Sequence, residues 1–170
     1  NLINMLSIKT KVLSFILFIL FIDDLQGIDS KSSKIFPDLA KFKLDGYNRE
    51  DLKNKILVID FWASWCAPCK KAFPALCEIQ NEYLEKDVVV VGVNVDKDKS
   101  SMKKFLKKNS YNFKIIFDID KNLVSELNVK TMPTTFIVDK NSNIITEKRG
   151  YFKKTKTEIK SILDKLVNED

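Results

Sequence analysis

Cys66 and Cys69 are the side chains of this sequence best suited to chemistry, and their setting, Trp65-Cys66-Ala67-Pro68-Cys69, indicates which chemistry. Two thiols three residues apart at the first turn of a helix are close enough to close a small disulfide ring. An apolar run precedes them and a helical pattern follows, so the helix begins where Cys66 stands. Unpaired backbone N–H groups and the macrodipole at that end favour a thiolate, which makes Cys66 the attacking group. Cys69, one turn further in, is then the resolving thiol. Pro68 suits the first turn because its missing N–H costs no hydrogen bond there. Lys70 and Lys71 add positive charge, and Trp65 is expected to shield one side of the sulfur pair. Such a pair exchanges disulfides and requires no metal or organic cofactor.

Other uses of the cysteines fit less well. A zinc site needs four ligands, and beyond this pair the chain holds only Cys77 and no histidine. Cys77 lies eight residues past Cys69 on the same helix, about 12 Å along its axis, too far to share a metal or a disulfide with the pair. It is expected to be a buried core thiol. A copper carrier would use a flexible ligand loop rather than a strand leading straight into a helix. The absence of histidine also removes the usual general base for a serine or cysteine nucleophile. Lys and Arg exceed Asp and Glu by 29 to 23. The lysines, such as Lys103, Lys104, Lys107 and Lys108, are spread without interleaved exposed aromatics and read as solvated faces, and no motif supports nucleic-acid binding.

The elements that must hold the pair follow from patterning. At 170 residues and 45% hydrophobic, the chain fits one domain plus an appendage. Lys9 and Lys11 precede the apolar run Val12 to Ile22, and Asp23 and Asp24 follow it. As a helix this run would be about 16 Å long against about 30 Å of hydrocarbon, short for a permanent span. Residues 1–27 therefore read as a signal peptide or membrane anchor, with residues 12–22 as the anchoring stretch, and residues 28–170 as the folded domain. Ile28 to Lys55 is polar and irregular, with a short hairpin expected at Asp45-Gly46. Ile56 to Ala63 and Asp87 to Val95 are buried strands near the centre of a sheet. Between them, Phe73, Leu76, Ile79, Tyr83 and Leu84 mark the inner face of a helix over Pro68 to Leu84, with a kink expected at Pro74. A helix at Ser100 to Lys108, a strand at Phe113 to Phe117, a helical stretch at Asn122 to Leu127, strands at Thr134 to Val138 and Ile144 to Arg149, and a helix at Thr157 to Val167 complete the chain. Asp96, Asp98, Asp118 and Asp120 read as turn residues. Strands alternating with helices, then a terminal hairpin and helix, imply an α/β fold: a central mixed sheet flanked by helices on both faces.

Val58-Ile59-Asp60-Phe61-Trp62-Ala63-Ser64-Trp65-Cys66-Ala67-Pro68-Cys69-Lys70-Lys71 resembles the active-site segment of thioredoxins. Thr131-Met132-Pro133-Thr134-Thr135-Phe136 is similar to the family's cis-proline segment, which lies against the C-x-x-C in that fold. The resemblance runs from about Lys55 to the end. It is closest to the exported TlpA/ResA-like thiol-disulfide oxidoreductases, whose extra helix-strand insertion corresponds to Lys97 to Phe117. The resemblance implies a thioredoxin-like fold and exchange with disulfide-containing or dithiol client proteins, often apocytochrome c or other envelope proteins. It also implies a periplasmic or membrane-anchored location; exported thiols meet oxidising surroundings, so a reductant there would also need a membrane electron donor. Ala72 stands where the ResA-like branch often has glutamate, and Asp60 where cytoplasmic thioredoxins have their buried aspartate.

An acid inside an apolar strand has a raised pKa, and beneath the disulfide Asp60 could take the proton of Cys69. Pro133 lacks the N–H a strand needs and so is expected at a sheet edge. A cis Met132-Pro133 bond would offer the Met132 backbone to an extended substrate near Cys66. Trp65, Pro68, Met132 and Pro133 are thus the candidate substrate contacts, and Cys66, Cys69 and Asp60 the candidate catalytic residues. A reductase is the favoured reading. A dithiol oxidase and a non-catalytic binding module or holdase on the same scaffold are the alternatives, and a peroxidase fits less well because it has no need of the second thiol.

Overall fold

Two β-branched runs, each buried on both faces, build the middle of the sheet, and everything else is arranged around them. The structure, a computed structural model, describes residues 34–169. The leader or anchor expected at residues 1–27 lies outside the described residues, and no helix among those described is long and apolar enough to cross a membrane. The elements are β1 (Leu44–Asp45), β2 (Ile56–Trp62), α1 (Ala67–Glu82), β3 (Val88–Asn94), α2 (Lys99–Leu106), β4 (Lys114–Asp118), α3 (Asn122–Glu126), β5 (Thr134–Val138), β6 (Ile144–Arg149) and α4 (Thr155–Asn168). They form a six-stranded sheet in the order β1-β4-β3-β2-β5-β6. β2, β3 and β4 run parallel, whereas β1, β5 and β6 each pair antiparallel. This is the expected α/β, thioredoxin-like arrangement, with α2 and β4 as the insertion.

Strand alternation sends successive side chains to opposite faces. Val58, Trp62, Val90 and Ile137 pack with Phe73, Leu76 and Ile79 of α1, Phe105 of α2 and Leu163 of α4. On the other face, Ile59, Phe61, Val91, Val93 and Phe136 meet Leu123 of α3 and the lead-in residues Phe36, Leu39 and Leu52. Phe36 and Phe61 both set edge-to-face contacts on Phe136, at 6.1 and 5.9 Å between ring centres. The segment before β2 is thus a cover for the second face rather than loose chain.

Three local expectations change. No hairpin forms at Asp45-Gly46, because β1 takes the free edge of β4 instead, with Leu44 opposite Asp118. Gly46 turns the chain there at φ +85°, and a Cβ would lie 2.6 Å from the Ile115 carbonyl oxygen. Leu84 is exposed, past the end of α1. The apolar face ends instead at Tyr83, which is fully buried and whose hydroxyl donates to Asp164 of α4 at 2.5 Å. Pro133 is not at a sheet edge: it directly precedes β5, an inner strand between β2 and β6, where its missing N–H is not needed by the ladder.

Gly92, opposite Asp60 in the β2–β3 ladder, leaves room for three large neighbours. A Cβ there would come within 3.0 Å of Phe113 and Trp62 and 3.1 Å of Ile115. Gly92→Ala is expected to destabilise the protein by about 1–3 kcal/mol, since buried rings cannot all withdraw. An unchanged urea midpoint would show that the core has slack here.

Candidate active site

β2 ends at Trp62, and α1 begins after four intervening residues, so the reactive pair sits at the carboxyl end of a central strand. The turn between them is closed by the Cys66 N–H donating to Ala63 O at 3.1 Å. Cys66 is the N-cap of α1, and its sulfur accepts from the Cys69 N–H at 3.2 Å, as the helix-start reading requires. Cys66 and Cys69 are joined in a disulfide, with Cα atoms 5.3 Å apart. Cys66 is 4% exposed and Cys69 is fully buried, so only Cys66 offers a sulfur to a partner. Lys70 and Lys71 are exposed on the same turn, and the Lys70 ammonium lies 5.8 Å from the centre of the Phe105 ring.

The cover over the sulfurs is not Trp65. That ring is 71% exposed, and the pair is buried instead by the core cluster it shares with Val58, Trp62 and Phe73. Trp65 and the exposed Pro68 therefore present apolar surface beside the disulfide. The third cysteine also departs from expectation. Cys77 is half-buried, because it sits at the margin of the α1 core face, with its sulfur 4.0 Å from Ser110 O.

Asp60 is 1% exposed and, by alternation, lies on the same face of β2 as Val58 and Trp62, the face that α1 covers. One carboxylate oxygen accepts from the Thr135 hydroxyl at 2.7 Å, across the β2–β5 ladder that pairs the two residues. The other oxygen is buried without a partner. Burial pushes its pKa from 3.8 to about 7, and the Thr135 hydrogen bond holds it back. Asp60 is therefore poised to give and take a proton near neutral pH. Replacing Thr135 with Val removes the one bond that favours the ionised form. The Asp60 titration should then move above about 7, read as an upward displacement of the pH at which Cys69-dependent exchange is half-maximal. An unmoved profile would separate Asp60 from that step.

β5 brings the second block to the same end of the sheet. Phe61 pairs with Thr134, so the start of β5 stands beside the end of β2. The Met132-Pro133 peptide is cis. Pro133 is buried, and its carbonyl accepts from the Gly150 N–H at 2.7 Å, which ties the segment to the end of β6. The Thr134 hydroxyl donates to Thr131 O at 2.8 Å, closing the loop around Met132, which is half-buried against the core.

Two partners escaped the sequence reading. Thr135 was visible only as a strand residue. Asp96, read as a turn residue, is a buried carboxylate bonded to Ser64 in the turn that carries Cys66. The signal that could have pointed to it was an acid directly after an apolar strand, Val91-Gly92-Val93-Asn94-Val95-Asp96, with no polar neighbour before Asn94.

The Redoxin family model matches residues 31–166. This chain belongs to the Redoxin family. Within that family it is one of the ResA-like thiol-disulfide oxidoreductases. It is 30% identical over 149 residues to the thiol-disulfide oxidoreductase ResA of Bacillus cereus, an alignment covering 84% of this chain and 85% of the relative. Among solved structures, this redoxin superposes on a Chlorobium tepidum protein assigned as the thiol:disulfide interchange protein DsbE. The TM-score is 0.74 at 29% identity, covering 79% of this chain and 96% of that one. It also superposes on the exposed lipoprotein thioredoxin of Streptococcus pneumoniae with a TM-score of 0.61 at 28% identity, covering 71% and 91% of the two chains. The redoxin is accordingly a protein thiol-disulfide oxidoreductase that acts on disulfide or dithiol clients.

Proposed function

We propose that this redoxin is an exported reductase of client-protein disulfides, with Cys66 as attacking thiol, Cys69 as resolving thiol and Asp60 as the proton acceptor of Cys69. The observation that carries the reading is the disulfide closed across the first turn of α1, with Cys66 at the N-cap and a buried acid on the facing strand. In the reduced protein the Cys66 thiolate attacks one sulfur of a client disulfide. The S–S bond of the client breaks, its other sulfur leaves as a thiolate, and a mixed disulfide forms. Cys69, passing its proton to the Asp60 carboxylate, attacks the Cys66 sulfur. The Cys66–Cys69 disulfide forms, the second client thiol leaves, and two electrons have moved to the client. Trp65, Pro68, Met132 and Pro133 serve as the surface on which the client strand lies.

Return to the dithiol requires a membrane-bound dithiol donor, and residues 1–27 serve as leader or anchor. The ResA relative and the exposed lipoprotein thioredoxin support placement outside the cytoplasm, on the periplasmic side in a bacterium with two membranes. The test of direction is the equilibrium reduction potential of the pair in defined thiol buffers. A value near about −250 mV or lower fits a reductant, and one near about −120 mV would make the protein a dithiol oxidase.

A further inference from the structure

Behind the turn that carries Cys66 lies a buried polar network that the exchange steps above do not use. Asp96 is 1% exposed. One of its oxygens accepts from the Ser64 N–H and hydroxyl, both at 3.0 Å; the other accepts from the Ser64 N–H at 3.2 Å and from Asn94 Nδ2 at 3.0 Å. Asn94, itself fully buried, takes the Asp96 N–H in return at 3.0 Å. The Val95 N–H donates to Trp62 O at 2.9 Å, so the segments after β3 and after β2 are laced together. Lys121 stands nearby. Its ammonium donates to Asp118 O and lies 4.2 Å from the centre of the Phe117 ring; burial lowers its pKa, and the charges of Asp118 and Asp96 partly oppose that shift.

Every polar atom of the Asp96 carboxylate is thus engaged, in contrast to Asp60, which has one donor and one bare oxygen. Asp60 keeps an oxygen open to a proton, whereas both oxygens of Asp96 are taken up in holding Ser64 and Asn94. Its position gives it two effects. Ser64 is two residues from Cys66, at most about 7 Å of chain, so fixing Ser64 through both its backbone and its hydroxyl fixes the path of the turn into the N-cap. A negative charge buried behind that turn is also screened little by salt, and it opposes the thiolate that Cys66 must become.

We propose that Asp96 is a positioning residue of the reactive pair: it holds the Ser64 turn that presents Cys66, and its charge biases the Cys66–Cys69 couple toward the disulfide, making the protein a stronger reductant. Lys121 moderates that bias as the partial counter-charge. The inference rests on the proposed role of Cys66 and Cys69 and supplies a reason for the proposed direction of electron flow.

Three variants divide the two effects. Asp96→Asn keeps an oxygen for Ser64 and nearly the same shape but removes the charge. Its equilibrium with glutathione should move about tenfold toward the dithiol, about 30 mV less reducing. Ser64→Ala removes one hydrogen bond and no charge; it should leave the equilibrium within twofold while slowing exchange with an uncharged disulfide probe. Lys121→Met should move the equilibrium several-fold the other way, and it stands in for Asp96→Asn should that variant not fold. If the parent protein has a measurable potential and Asp96→Asn leaves it within twofold, or shifts it toward the disulfide, the inference is wrong. The same result from Lys121→Met, an equilibrium unmoved or moved toward the dithiol, would count equally against it. If the parent forms no Cys66–Cys69 disulfide in the buffers, the underlying reading fails first, and the two failures are told apart.

Discussion

Replacing Cys66 with Ser is expected to reduce disulfide exchange to the uncatalysed background, whereas Cys69→Ser should leave the first attack intact and accumulate mixed disulfides with clients. The asymmetry follows from the geometry. Cys66 is at the N-cap, accepts the Cys69 N–H and is the one member of the pair with any exposure; Cys69 is sealed beneath it. A serine at position 66 has no thiolate to offer, Cys69 is buried, and Cys77 is about three turns further along α1. A serine at position 69 cannot attack the mixed disulfide, so the complex persists until an outside thiol resolves it. The measurement is non-reducing electrophoresis of each variant incubated with a disulfide-bonded client. Trapping through Cys69 in the Cys66→Ser protein would reverse the assigned order, and trapping through neither would remove the exchange mechanism.

The second large effect belongs to Asp60. Its carboxyl titrates at about 7 in the folded oxidised protein against 3.8 for an exposed carboxyl, and burial is the first cause. Below pH 3.8 the group is protonated in both the folded and unfolded states and contributes no difference. Between 3.8 and about 7 the folded state holds more protons, so stability falls as pH rises, by up to about 1.4 kcal/mol per pH unit. Above about 7 the loss is complete and is on the order of 4 kcal/mol. Asp60→Asn cannot titrate. Relative to the parent, it should therefore gain stability from pH 4 to pH 8, with a plateau beyond, in urea unfolding of the oxidised proteins. Curves that stay parallel across that range would show that Asp60 is not buried in the charged form. The same variant should lose about a hundredfold in the rate at which Cys69 resolves a mixed disulfide, and that rate should no longer rise through neutral pH. Normal resolution by Asp60→Asn would assign the proton to solvent.

These two residues also show how far the amino-acid sequence reaches. A C-x-x-C with a proline between the thiols, entered from an apolar strand and left by a helical pattern, is a local statement, and the N-cap geometry of Cys66 follows from contacts three residues apart. The central strands were legible for a similar reason. Ile56 to Trp62 and Val88 to Asn94 are apolar on both faces, which only a strand buried between two layers tolerates. By contrast, the acid in β2 was recognisable as buried or exposed only by argument, because alternation alone is ambiguous in a strand covered on both sides.

What the sequence by itself determined is the chemistry and its local stage: the dithiol, the helix start, the strand before it and the order of elements that implies an α/β sheet. Tertiary structure alone decided which groups surround that stage. Thr135 meets Asp60 across 75 residues, and Asp96 reaches Ser64 across 32, contacts with no local periodicity to announce them. Likewise β1 abandons its own turn for the edge of β4, Trp65 turns outward rather than over the sulfurs, and Cys77 rests at the core margin. The physical reason is common to all of them. Short-range patterns are set by backbone geometry and side-chain alternation, while the pKa of a buried acid and the anchoring of a turn depend on partners that only the closed sheet brings within hydrogen-bond distance.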